Sequence, residues 1–220
     1  MSVYSPKEKL LFVHIPKTAG KSVRVAMGRI NKDIYEVTNN KTTDGNYHST
    51  IDMCQKQIPD FNSYYKFTVV RNPWDRVCSW YFFRKEILAN SLYKKTTSRI
   101  RKFKRVPDTI LLNELNLMEK DFNEWLHINV NLPWNNTWFS LAHDQMTWIK
   151  DVSIFDKICK IENLKDDMQQ IPFFKDKSFD KRTNPSKNNN KAYKELFSTE
   201  SKDLIANLYK RDIEAFNYDF

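Results

Sequence analysis

Leu10-Leu11-Phe12-Val13-His14-Ile15-Pro16-Lys17-Thr18-Ala19-Gly20-Lys21-Ser22 is the stretch whose reading decides the fold. Four consecutive apolar residues, Leu10 to Val13, suit a short strand buried on both faces. Pro16 and Gly20 punctuate the run, and Val23, Ala26, Met27 and Ile30 then recur at helical spacing. The order is strand, turn, helix. The plan repeats at Phe67-Thr68-Val69-Val70, where Arg71-Asn72-Pro73 breaks a β-prone run and Pro73 suits a first helical position. Val77, Trp80, Tyr81 and Arg84 share one side of the helix expected there. Two such units in one short chain imply an α/β fold with a parallel sheet flanked by helices.

Outward from these units the chain is less regular, above all over 90–150. Helices are expected over 109–119, 120–127 and 163–171, a strand over 155–161, and a polar, Asn-rich loop over 179–190. An amphipathic helix over 202–216 closes the chain, with Leu204, Ile205, Leu208 and Phe216 toward a core. No solenoid repeat or dividing linker interrupts the 220 residues, so a single domain over 1–220 is expected.

Composition excludes several classes. Aromatic residues at 14% argue against disorder. No stretch nears the ~18 apolar residues of a membrane span, and residues 1–9 lack the apolar centre of a signal peptide. A soluble, cytoplasmic chain is expected. Cys54, Cys78 and Cys159 lie far apart in no metal-ligand spacing, which suits reduced, partly buried thiols. The net charge of +9 favours anionic partners.

The turn after the first strand has phosphate chemistry. Backbone N–H groups at a helix start lack intrahelical acceptors and carry partial positive charge, which seats an anion. Gly20 would let the backbone turn and approach the ligand. Lys17 adds a point charge, and the Thr18 and Ser22 hydroxyls add donors. Gly20-Lys21-Ser22 also matches the end of a Walker A loop, but Ile15 stands where the first glycine belongs. Val152-Ser153-Ile154-Phe155-Asp156 could be stretched into a magnesium-binding strand end. A magnesium-dependent kinase or hydrolase is therefore one alternative, and a non-enzymatic polyanion-binding module is another.

The second turn is the more specific. Arg71 ends a strand and offers a planar fork to a phosphate dianion; Ser79, two turns into the next helix, offers a hydroxyl. Here the chain resembles the sulfotransferase superfamily, closest to its carbohydrate branch and small bacterial relatives. The likeness runs through Tyr47-His48-Ser49-Thr50 and Ile161-Glu162-Asn163-Leu164 to Tyr209-Lys210-Arg211-Asp212-Ile213 and Phe216-Asn217-Tyr218-Asp219-Phe220. It implies one P-loop-like sulfotransferase domain that uses 3′-phosphoadenosine 5′-phosphosulfate. It also implies that Lys17, Thr18, Ala19, Gly20, Lys21 and Ser22 hold the 5′-phosphosulfate, and Arg71 and Ser79 the 3′-phosphate. The family loop has two adjacent glycines and then a threonine where this chain has Ala19, Gly20 and Lys21.

Sulfuryl transfer requires in-line oxygens and stabilised charge on the leaving adenosine 3′,5′-bisphosphate, a task that falls to Lys17 and the loop N–H groups. The sulfuryl group carries less charge than a phosphoryl group, so no metal is assumed. A base must activate the acceptor hydroxyl. His48 matches the family histidine between the phosphate motifs and is the first candidate. His14, beside the loop, is second, and better suits a structural histidine that bonds the backbone. His127 and His143 are read as structural or solvated. An acidic glycan acceptor would suit the basic run from Lys94 to Arg105, although such runs are common on solvated faces. Trp125, Trp134, Trp138 and Trp148 could stack on sugars or pack in a core. Asn184, Ser186 and Lys187 match a late family segment and could cover the nucleotide. No nucleic-acid or membrane partner is expected, and no motif addresses oligomeric state.

Overall fold

The computed structural model describes residues 2–37, 48–95, 116, 119–131, 141, 143–177, 179 and 193–220. By contacts the chain forms two compact units: Met1–Asn72 with His143–Pro185 and Arg211–Asp219, and Pro73–Ala142 with Ser186–Lys210 and Phe220.

The first unit is built on a five-stranded sheet, ordered β3-β1-β2-β4-β5. The strands are β1 (Val3–Ser5), β2 (Leu10–Val13), β3 (Tyr35–Glu36), β4 (Tyr65–Val70) and β5 (Lys157–Lys160). β2, β4 and β5 run parallel, with Val13 opposite Thr68 and Val70 opposite Lys160. β1 and β3 join antiparallel, so the sheet is mixed, with β2, β4 and β5 supplying the parallel sheet the sequence implied. The parallel part needs crossover helices between its strands, whereas β1 reaches β2 through a short turn.

Strand alternation divides the core into two layers. On one face Leu10, Phe12, Phe67, Val69 and Cys159 meet Val23 and Met27 of α1 (Gly20–Ile30) and Phe174. On the other, Leu11, Val13 and Val70 meet Ile51 and Cys54 of α2 (Ile51–Gln57), together with Trp148, Ile149 and Phe216. This is the α/β class expected, helices flanking a central sheet. The three thiols are buried and in no disulfide, and burial pushes Cys54 and Cys159 each up to about 12.

The second unit is helical. α3 (Pro73–Lys95) and α4 (Phe122–Asn131) meet through Tyr81, whose ring lies 4.9 Å from Trp125 and 5.2 Å from Phe122. The Trp74 indole N–H donates to the Lys202 carbonyl at 3.0 Å. Arg84 donates to Asn129 Oδ1 at 3.2 Å, and burial lowers its pKa to about 10. The expected closing helix is two helices, Thr199–Leu208 in this unit and Lys210–Phe216, which from Arg211 on belongs to the first. Of the helix expected over 109–119, the structure describes only 116 and 119.

Candidate functional site

Because β2 and β4 are parallel neighbours, the segments that follow them leave the same edge of the sheet. After β2 the chain turns through Lys17 and Ala19, both left-handed, with φ 69° and 63°. The sequence assigned this turn to Gly20. Instead Gly20 is the first residue of α1 and lies under the His14 ring: a Cβ there would fall 1.9 Å from His14 Cδ2 and Nε2. The glycine therefore serves the approach of a histidine, while an alanine takes the conformation that favours glycine.

α1 opens without a side-chain cap, and Gly20-Lys21-Ser22-Val23 puts no acid in its first turn. The N–H groups of Ser22 and Val23 both donate to the Ala19 carbonyl, at 2.9 and 3.2 Å. Those of Gly20 and Lys21 come before any intrahelical acceptor, at the positive end of the helix. Ser22 is buried and Lys21 exposed. The buried Thr18 hydroxyl, expected to face an anion, donates to the Ile15 carbonyl at 2.9 Å. Its proton is used to hold the loop.

The two candidate bases meet. The His14 and His48 rings lie 4.6 Å apart, edge to face. Ser2 secures their segments: its hydroxyl accepts the His14 N–H and donates to the Ser49 carbonyl, both at 3.1 Å. Ser49 in turn donates to the Val37 carbonyl at 2.7 Å.

Arg71 lies just beyond β4 and is buried. Its Nη1 donates to the Lys17 carbonyl at 3.3 Å, so the residues chosen from the two motifs touch. Gln145 bonds both backbone groups of Arg71. The next residue is held as firmly: Glu162 Oε1 accepts the Asn72 N–H at 2.8 Å, and Asn72 Nδ2 donates to the Asp219 carbonyl at 2.7 Å. The other Glu162 oxygen accepts the Tyr218 hydroxyl at 3.1 Å. Burial and that carboxylate push the Tyr218 hydroxyl far above its ordinary value. Ser79 belongs to the second unit, where it is buried in α3.

Asp156, offered above as part of a magnesium-binding strand end, precedes β5, and its carboxylate accepts the Lys66 N–H at 2.7 Å. It stands at the opposite sheet edge from Lys17. Val152–Ile154 is a short 3-10 helix, not a strand. Trp125 and Trp148 are buried core residues, which removes two members of the suggested stacking wall. His127 is exposed, and His143 lies edge-on to Trp148 at 5.8 Å. Tyr47, Trp134, Trp138, Asn184, Ser186, Lys187 and the side chains of the 94–105 basic run lie outside the described residues. Among those described, no group of three or more His, Cys, Asp or Glu side chains is arranged as metal ligands, and no helix is long and apolar enough to cross a membrane.

Sequence reasoning missed Gln145 and gave Asp212 and Glu162 no role. Glu162 and Asp212 lie in the late segments that carry the family likeness; Gln145 lies in the irregular middle and has no such signal. The family model described as "Sulfotransferase family" matches residues 1–219. No curated protein and no solved structure matches the chain.

Proposed function

The chain belongs to the sulfotransferase family and is an enzyme of that class; from this premise we propose that it takes its sulfuryl group from 3′-phosphoadenosine 5′-phosphosulfate and delivers it to a carbohydrate hydroxyl. The observation that carries the reading is the contact of Arg71 with the Lys17 carbonyl at 3.3 Å. It puts a guanidinium beside a helix start with no acidic residue in its first turn, a combination suited to an adenosine phosphorylated at both ends. The proposed domain is the whole chain, 1–220; its support is a family match that runs through both compact units.

In this reading Lys17, Ala19, Gly20, Lys21 and Ser22 hold the 5′ end, with Thr18 bracing the loop. Arg71 holds the 3′-phosphate, and Ser79, by its place in the motif, adds a hydroxyl. The donor supplies a sulfuryl group on a phosphate leaving group. His48 takes the acceptor's hydroxyl proton as that oxygen bonds to sulfur and the bond to the bridging oxygen breaks. Lys17 and the helix-start N–H groups neutralise the charge left on that oxygen, giving sulfated acceptor and adenosine 3′,5′-bisphosphate. His48 is favoured as base because its ring lies 4.6 Å from the His14 ring, which in turn covers Gly20 at the helix start.

The test is transfer of labelled sulfate, with chelator present, to uronic-acid glycans, neutral sugars and phenols. Glycans are expected to be labelled. His48→Ala should lower turnover by about 10²–10⁴-fold, the contribution of a general base, and leave bisphosphate affinity unchanged. Normal turnover by that variant refutes the base, and labelling of phenols alone refutes the acceptor class.

A further inference from the structure

β4 ends at Val70, the last rung of its ladder with β5. The backbone of Arg71 is nevertheless held as firmly as a strand residue, by one side chain. Gln145 Oε1 accepts the Arg71 N–H at 2.9 Å, and Gln145 Nε2 donates to the Arg71 carbonyl at 2.9 Å. A side-chain amide can do both at once, because it carries an acceptor and a donor in one plane. Gln145 is itself locked. Its Nε2 and backbone N–H donate to Asp212 Oδ2 at 3.1 and 2.8 Å, and the Met146 N–H donates to Asp212 Oδ1 at 2.9 Å. Gln145 and Asp212 are both 0% exposed. A carboxylate taken out of water needs such donors, so the arrangement resists any sliding of Gln145.

We infer that Gln145, locked by Asp212, is a positioning residue: it fixes where Arg71 aims its guanidinium and so sets how much the 3′-phosphate adds to donor affinity. The inference rests on the proposed role of Arg71 as the 3′-phosphate ligand. Hydrogen bonds to phosphate weaken steeply with angle and distance, so a flexible arginine recognises well only if its backbone is anchored. Without Gln145 the guanidinium keeps its contact with the Lys17 carbonyl but loses the fixed base from which it reaches.

The experiment is a titration of adenosine 3′,5′-bisphosphate and adenosine 5′-phosphate into the full chain. It reads the ratio of the two affinities, which isolates the 3′-phosphate. Gln145→Met keeps side-chain length and removes both bonds to Arg71. It is expected to lower the ratio about tenfold, roughly the worth of one hydrogen bond to a charged group, and to leave 5′-phosphate affinity unchanged. Asp212→Asn, which loosens the lock and keeps Gln145, should lower the ratio by a smaller factor and serves if Gln145→Met does not fold. Arg71→Ala should bring the ratio close to one. A wild-type ratio in a folded Gln145→Met or Asp212→Asn protein, or equal loss for both ligands, overturns the inference while Arg71→Ala still collapses the ratio. A wild-type ratio in Arg71→Ala overturns the assignment of Arg71 itself.

Discussion

Gly20→Ala adds one methyl group, and the structure says what it meets. The new carbon would lie 1.9 Å from two His14 ring atoms and 2.5 Å from a third. The ring has little freedom, because Phe12 stacks on it at 5.8 Å and His48 abuts it at 4.6 Å. Overpacking of this kind costs roughly 1–3 kcal/mol. Alanine returns up to about 1 kcal/mol of helix propensity, less at a first helical position than in an interior. The clash therefore wins, with a net loss near 1–2 kcal/mol and a fall in Tm of roughly 2–8 °C for a chain of this size. Because a displaced His14 ring presses on the His48 ring 4.6 Å away, turnover should fall more than bisphosphate affinity. Thermal unfolding of Gly20→Ala, His14→Ala and the double variant is the assay. The double variant should be more stable than the sum of the single losses requires, since the methyl group then occupies space the ring has left. Additive losses, or a neutral Gly20→Ala, refute the reasoning.

Ala19→Gly restores the residue type the family loop carries and relieves a left-handed alanine at φ 63°. Stability should rise by about 0.5–1 kcal/mol, part of the ~1–2 kcal/mol steric cost being offset by a looser unfolded chain, and an unchanged or lower melting temperature counts against this account. Asp144 titrates in a partly buried site: burial raises its pKa, but hydrogen bonds from Arg211 and Thr147 outweigh that and hold it below the ordinary value. A depressed carboxyl stabilises the fold above its unfolded pKa and loses that contribution as pH falls through the folded one. Wild type should therefore lose stability below about pH 4 more steeply than Asp144→Asn, and equal acid limbs in thermal melts contradict the assignment.

What could be read from the sequence was what local chemistry determines. Leu10–Val13 is a strand as read, β4 extends the expected run back to Tyr65, and α3 starts at Pro73. Each has an apolar run ended by Pro, Gly or a charged break. The short antiparallel strands were not legible: β1 is three residues long, and the buried Ser2 and Ser5 that flank and end it look like surface residues on paper. The break between the last two helices, at Tyr209, has no Gly or Pro to mark it. At the site, the residue types were legible and their reasons were not. Thr18 and Gly20 suit an anion by composition, yet one braces the loop and the other admits a ring. Gln145 could not be found at all, because its role depends on Arg71, 74 residues away in the chain.

The central claim is that Lys17 and Arg71 attend opposite ends of one nucleotide, and two monophosphates separate those ends. Adenosine 5′-phosphate and adenosine 3′-phosphate should be titrated, with chelator present, into wild type, Lys17→Ala and Arg71→Ala. The account predicts a crossover: Lys17→Ala loses the 5′-phosphate and keeps the 3′-phosphate, and Arg71→Ala does the reverse. Parallel losses for both ligands in both variants, or binding that requires magnesium, would contradict it.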